Sequence, residues 1–404
     1  MKKSIILSVA AAVLCVPAWA ADAESAAPAA GAPPAVAASV VAGVPEANAA
    51  GLYRQAFGKV TDEIRKAAVL GAPGDMVPEN AEQLLDENAE LIALIRKAAL
   101  TSSCNWGSRI EDGPAMQLPY LGEMRTLARL MILQFRIDVS DRNADMIVKD
   151  LQVLDGLARH ANGDKLLICL LVKRAIQFMV IKDAAFALPS LPDPALKTLE
   201  QLFPETPAGG TRELAEAMRS ESMMSAWLRR RLEAAVESPG KAEDVWKELN
   251  RMIGNELSGN GATPDPKQIL AWCDELDRFQ AELVRVCNLP DAEITNAVKR
   301  VQDQAANGNP LLRMLAPAVA SLARREVQFG VQAAMLRAAI GLERVRRTGK
   351  PVAEAVAATR DPSGIGPFRY QAQPSGKTYL LSAAFEEKPG KPVTLEVGTD
   401  AAGK

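Results

Sequence analysis

Histidine is nearly missing from these 404 residues: His160 is the only one. A metal site built on two imidazoles is therefore excluded, and an imidazole base in any reaction has to be His160. Aromatic side chains are also scarce, at 4% of the chain against 48% hydrophobic residues overall. The core must then be built from Ala, Leu, Val, Ile and Met, a supply that favours close-packed helices over sheets. Charge of one sign is not in excess either. The 47 basic and 49 acidic residues leave a formal charge of −2, which argues against a nucleic-acid or other polyanion binder.

What is present begins with "MKKSIILSVAAAVLCVPAWA". Lys2 and Lys3 precede an apolar stretch too short to span a bilayer, and Ala18-Trp19-Ala20 offers a small-x-small cleavage site. These residues read as a secretory signal, cut after Ala20, and predict a periplasmic or secreted protein. Acylation of Cys15 is the rival reading, but Leu14 is not the small residue that lipidation requires before its cysteine. Residues 21–50 are almost all Ala, Pro, Gly, Val and Ser, with no aromatic residue. They cannot bury enough surface to offset ordering entropy and are expected to be a disordered linker. Four cysteines remain beyond the signal: Cys104, Cys169, Cys273 and Cys287. An exported chain with that even count permits two disulfides, and buried free thiols are the alternative. Cys273 and Cys287 fall on one expected helix about 21 Å apart, too far to bond to each other.

Helical periodicity dominates residues 52–348. One stripe carries Tyr53, Phe57, Val60, Ile64 and Ala67 and stops at Gly71 and Pro73; a second carries Leu84, Leu91, Leu94 and Ile95. Leu121 to Val139 is apolar on nearly every side and is expected to be a central buried helix. Its partner runs from Asn143 to Ala161, turns Ile147, Leu151, Leu154 and Ala158 inward, and ends on an Asn162-Gly163 cap. "DKLLICLLVKRAIQFMVIKDAAFAL" is apolar but contains Lys173, Arg174, Lys182 and Asp183. Each such charge costs about 2.5 to 3.5 kcal/mol at a bilayer centre, so this is a core helix and no membrane span. Prolines and "PETPAGG" suggest a boundary near residue 208. Helices then resume at 211–237, 241–257, 265–287 and 290–307, followed by a long one from Pro310 to Arg347 that Pro317 is placed to bend. Beyond residue 348 the period changes to two, and "PFRYQAQ", "KTYLLSAA" and "PVTLEVG" read as strands of a small antiparallel sheet. The predicted class is mainly α: a multi-helix bundle or irregular helical-hairpin array with a small C-terminal β tail. Its expected parts are a signal at 1–20, a linker at 21–50, helical domains at 51–208 and 209–348, and the tail at 349–404.

One catalytic pair is permitted by the residues. Cys104 sits in "TSSCNWGSRIEDG" and His160 in "LARHANGD", at the ends of helices expected to be neighbours. A nucleophilic thiol needs a base to make the thiolate, and His160 is the sole imidazole candidate. A histidine at a helix C-terminus is favoured in any case by the partial negative charge there. The structural reading, in which Cys104, Trp106, Cys169, Cys273 and Cys287 pack or cross-link helices, is preferred. "DVSDRNAD" brings Asp138, Asp141 and Asp145 near one another but lacks the glycine and closing glutamate of a calcium loop. It reads as a helix–helix turn. "QAQPSGKT" has Gln371 where a phosphate loop needs its first glycine, and "GIGPFR" has Arg369 at the third glycine of a dinucleotide fingerprint. No cofactor or metal site is expected. The basic runs Arg229-Arg230-Arg231 and Arg344, Arg346, Arg347 have Glu233 and Glu343 beside them and read as ion-paired helix faces.

Cys104-Asn105-Trp106-Gly107, Gly113-Pro114, Leu118-Pro119-Tyr120-Leu121 and Arg125-Thr126-Leu127-Ala128-Arg129-Leu130 together resemble a family of exported helical proteins of planctomycete-type bacteria. The resemblance implies a signal peptide, a helical body and a short β tail, with no catalytic residue. The tail is similar to the helix-to-sheet segment of type II secretion pseudopilins through Asp361-Pro362, Gly364, Gly366-Pro367-Phe368 and Tyr370. Ser363 replaces the aromatic residue expected there, and "FEEKPGKP" replaces the acidic calcium loop, so this likeness implies no calcium site. The function expected from the whole reading is a non-enzymatic scaffold or binding protein of the cell envelope with an unidentified protein or envelope partner. Two alternatives stand beside it: a cysteine hydrolase using Cys104 and His160, and an accessory component of a pilus-like secretion system.

Overall fold

The computed structural model describes residues 48–398 except 70, 74–76, 79, 110–115, 206–211, 237–242, 246, 248–264, 287–288, 290, 351, 357–358, 363–365, 374–377 and 389. The expected signal, nearly all of the linker, the boundary near 208, most of the 241–257 helix and Cys287 lie outside the described residues.

The chain is mainly helical, as its composition predicts. Asn48 caps α1 (Ala49–Lys59) by accepting the Ala50 N–H. The stripe from Tyr53 to Ala67 is not one helix, however. Val60 is extended, and Thr61 starts α2 (Asp62–Ala67) by accepting the Ile64 N–H, with Asp62 and Glu63 in its first turn. The second stripe is likewise divided at Asn88 into α3 (Ala81–Glu87) and α4 (Ala89–Ala99). In both cases the side-chain stripe continues while the backbone restarts, so periodicity alone runs over the break.

A hairpin array follows: α5 (Tyr120–Ser140), α6 (Ala144–Ala161) and α7 (Leu167–Ala187). Asn143 caps α6 through the Met146 N–H, and Ile147, Leu151, Leu154 and Ala158 face inward as their spacing predicts. Gly163 does not close α6 in a left-handed conformation. Lys165 takes the positive φ, +53°, and Gly163 instead marks a close approach of backbones. A Cβ there would lie 3.1 Å from the Cys104 carbonyl oxygen and 3.3 Å from the Trp106 ring. The first free N–H of α7 is covered from another helix, since the Glu221 carboxylate accepts from Leu167 N at 3.1 Å.

A 3₁₀ turn at Leu188–Ser190 leads into α8 (Asp193–Leu202), and α9 (Arg212–Val236), α10 (Pro266–Val286) and α11 (Asp291–Ala306) come next. The 38-residue α12 (Pro310–Arg347) begins at an Asn309 cap with proline in its first turn. Within the expected tail there is a further short helix, α13 (Val352–Val356), before β1 (Arg369–Ala372), β2 (Tyr379–Lys388) and β3 (Lys391–Val397). The strands form one antiparallel sheet in the order β1-β2-β3. Tyr379, Leu381, Ala383 and Phe385 of β2 and Val393, Leu395 and Val397 of β3 are buried at alternate positions.

The middle of the array is α7, against which α5, α6, α9, α12 and β3 all pack. One continuous apolar core runs from Ala49 through these elements to Val397, and a satellite cluster of Leu228, Leu232, Val245, Ile269, Cys273 and Leu311 lies under α9 and α10. Among the described residues no helix is long and apolar enough to cross a membrane.

Candidate functional site

The turn after α4 brings together the residues singled out in the sequence. Asn48 pins it: Ala49 N donates to the Ser103 carbonyl at 3.0 Å, Asn48 Nδ2 donates to the Asn105 carbonyl at 2.8 Å, and Asn105 N donates back to Asn48 Oδ1 at 2.9 Å. Asn105 Oδ1 accepts the Gly107 N–H at 2.8 Å, and Gly107 adopts φ +70°, a conformation that glycine reaches without a steric cost. The "CNWG" run is thus a self-bonded turn that aims Trp106 into the core.

Trp106 is enclosed there. Its indole stacks on Tyr120 at a centroid separation of 4.0 Å and on Tyr53 at 5.6 Å, with Phe57 at 6.1 Å. Its Nε1 donates to the His160 carbonyl at 2.9 Å, and Arg54 donates to the Trp106 carbonyl at 2.7 Å. Beyond Tyr120, Asp164 accepts from the Ser108 hydroxyl and from Tyr120 Oη at 2.7 Å, while Tyr120 Oη lies 3.4 Å from Cys169 Sγ. Cys104, Trp106, His160 and Cys169 therefore do meet in one place.

Cys104 and His160 are not hydrogen-bonded to each other in this arrangement. The His160 ring is turned to Tyr53, whose hydroxyl is 2.9 Å from Nδ1, and Nε2 has no hydrogen-bond partner. Neither nitrogen is bonded to Cys104 Sγ. Burial, with Arg159 next to it, lowers the imidazole to about 4, so the ring is neutral; the Thr101 backbone works weakly in the opposite direction. Burial raises the Tyr53 hydroxyl, so it stays protonated in this contact. The Cys104 thiol is pushed up to about 12, first by burial and then by Asp164, against a smaller opposite effect of Arg54. A thiol held protonated with no bonded base is a poor nucleophile.

No disulfide is formed among the described residues. Cys104, Cys169 and Cys273 are free thiols. Cys169 belongs to the main core and Cys273 to the satellite cluster, so these two serve as small apolar side chains in separate places. Burial raises both, to about 12 and about 11.

Two further constellations combine residues that the motif reading left apart. Asp138 does not converge with Asp141 and Asp145, which are exposed. It is buried, accepts from Gln134 at 2.9 Å, and faces Asp150 of α6 and Arg96 of α4. Arg96 Nη2 is 2.9 Å from Asp150 Oδ1 and 4.0 Å from Asp138 Oδ2. Asp150 Oδ2 is buried with no donor, and burial plus the neighbouring Asp138 carboxyl raise Asp150 to about 8 despite Arg96.

The second lies on α7. Arg174 makes a two-pronged contact with Glu326 of α12, at 2.9 and 2.7 Å, and a 2.8 Å ion pair with Glu213 of α9. Its guanidinium also lies 4.1 Å from the Phe329 ring centroid, and Lys173 pairs with the same Glu213. On α7 too, Asp183 accepts from Arg136 at 2.6 Å; burial raises this carboxyl while Arg136 pulls it down. Asp150 lies on the inward stripe three residues after Ile147 and four before Leu154, and a charge at such a position is the signal that could have found it. Within the arginine runs, Arg229 pairs with Asp274 and Asp277, Arg344 with Glu200, and Arg346 and Arg347 with Glu343.

This chain matches no known family model, no curated protein and no solved structure.

Proposed function

We propose that the protein is an exported, non-enzymatic helical scaffold or binding protein of the cell envelope, with an unidentified protein or envelope partner. One observation carries this reading. The Cys104–His160 pair is built into the packing, with His160 bonded to Tyr53 and Trp106 and the Cys104 thiol held protonated. Export rests on the charged start, apolar stretch and Ala18-Trp19-Ala20 site at residues 1–20. The same geometry weighs against the hydrolase alternative.

A bacterial host that expresses the full chain should yield a mature protein beginning at Ala21 in the periplasmic or extracellular fraction. On that protein, maleimide labelling of Cys104 at neutral pH should be much slower than in urea, and Cys104→Ser should leave partner binding unchanged. An unprocessed chain retained in the cytosol would overturn export. Rapid stoichiometric labelling of native Cys104, abolished by His160→Gln, would overturn the non-enzymatic reading.

A second reading, an accessory role in a pilus-like secretion machine, draws support from one contact. The Asp361 carboxylate accepts from Ala384 N at 3.3 Å, which ties the Asp-Pro turn to β2 in the segment similar to pseudopilins. Co-purification with pseudopilins, weakened by Asp361→Ala in a protein of unchanged helix content, is its test.

A further inference from the structure

The junction of α4, α5 and α6 holds two carboxyl groups and one cation, all withdrawn from solvent. Asp150 is fully buried, Asp138 is 6% exposed, and the Arg96 side chain is 18% exposed. The guanidinium engages Asp150 through Nη2 alone and reaches Asp138 only at 4.0 Å, and its Nε has no hydrogen-bond partner. Compare Glu326, which receives two guanidinium nitrogens of Arg174. A single one-pronged cation does not hold two adjacent buried carboxylates ionised, because their mutual repulsion and desolvation exceed one ion pair. Asp150 Oδ2 lacks any N–H or O–H donor, yet it is a buried acceptor beside a second carboxyl group. A proton on one of the two supplies the missing donor and removes the repulsion at once.

We propose that Asp150 keeps its proton at neutral pH and donates it to the Asp138 carboxylate, and that its release to solvent in alkali loosens the α4–α5–α6 junction. The charged groups acting on Asp150 are Arg96 from α4 and Asp138 from α5. Gln134 steadies Asp138 without adding charge. The sign follows from linkage. The folded carboxyl titrates near 8 and the unfolded one near its ordinary 3.8, so the folded state binds the extra proton. This group's contribution is complete below the unfolded value, declines as pH rises between the two, and is gone above about 8. The inference is independent of the export reading, since it concerns only the three helices.

The test is urea unfolding of the wild type and of Asp150→Asn from about pH 5 to about pH 9, with the folding equilibrium constant as readout. Asparagine keeps an acceptor for Arg96 and presents an amide donor to Asp138, so it imitates the protonated state at every pH. The wild-type constant should fall about tenfold per pH unit more steeply than the variant's up to about pH 8, and the two should run parallel above it. Side-chain ¹³C resonances of aspartate in the wild type give a second measurement that needs no variant. One carboxyl carbon should be in its protonated position at neutral pH and titrate in mild alkali. Parallel pH dependence of the two proteins overturns the proposal. So does a wild type in which every aspartate carbon is ionised at neutral pH, and that result decides the matter even if Asp150→Asn fails to fold.

Discussion

Trp106 is held at its ring faces, its indole nitrogen and its backbone carbonyl, so single atoms there have measurable consequences. Replacing it with phenylalanine keeps an aromatic ring but leaves the buried His160 carbonyl without its donor and a gap where the indole was. The expected loss is about 2–4 kcal/mol of unfolding free energy by urea titration, without loss of helical signal. His160 gives a pH-dependent prediction of opposite sign to that of Asp150. Its folded value is about 4, below its unfolded 6.5, so the unfolded state takes up the proton first. The stability it contributes is present above the unfolded value and is lost as pH falls through that window. His160→Gln should therefore lose less stability than the wild type between about pH 6.5 and pH 4, measured as the shift in urea midpoint. Thermal melts that fall in parallel for the two proteins would refute the assignment of a neutral buried ring.

At the scale of elements, helix contact distance is set by one glycine. A Cβ on Gly156 would sit 2.1 Å from the Ala99 carbonyl oxygen, so α4 and α6 touch backbone to backbone at this crossing. Gly156→Ala forces the helices apart and should cost about 3 kcal/mol or more, visible as a lowered melting temperature. Gly122→Ala is the control. It lies on exposed α5 surface, a Cβ there meets nothing within 4 Å, and it should stabilise by up to about 1 kcal/mol through helix propensity. Sequence patterning cannot tell these two glycines apart, because both interrupt helical stripes in the same way. The breaks at Val60 and Asn88 escaped it for a related reason. The apolar stripe carries on across each break, and only the Thr61 cap, with its acidic first turn, marks one of them locally.

The molecule as a whole is joined through α7, whose Arg174 reaches α12 and α9 together. Arg174→Met strands a buried Glu326 and should cost about 3–5 kcal/mol, as should Glu326→Leu. The double substitution replaces the pair with apolar volume and should recover most of that loss, since Glu213 keeps its ion pair with Lys173. A double-mutant cycle by urea unfolding measures the coupling, and strictly additive losses would exclude it. In the sequence, Lys173, Arg174, Lys182 and Asp183 speak only against a membrane span. Three of these are buried and paired within the core, and Lys182 is exposed.

What the sequence determined by itself is the class of structure and most element positions. Aliphatic stripes at a 3.6-residue period make helices, alternation makes strands, and Asn48, Thr61, Asn143 and Asn309 start helices through contacts two or three residues away. Those are local interactions, and local interactions are written in neighbouring letters. Only the tertiary structure decided that His160 turns to Tyr53 instead of Cys104, that Glu221 covers the start of α7, and that Asp138 meets Asp150 across Arg96. Each of these depends on which face of one helix meets which face of another. Burial then sets protonation: the same desolvation that packs the core keeps the thiol protonated, the imidazole neutral and one carboxyl uncharged.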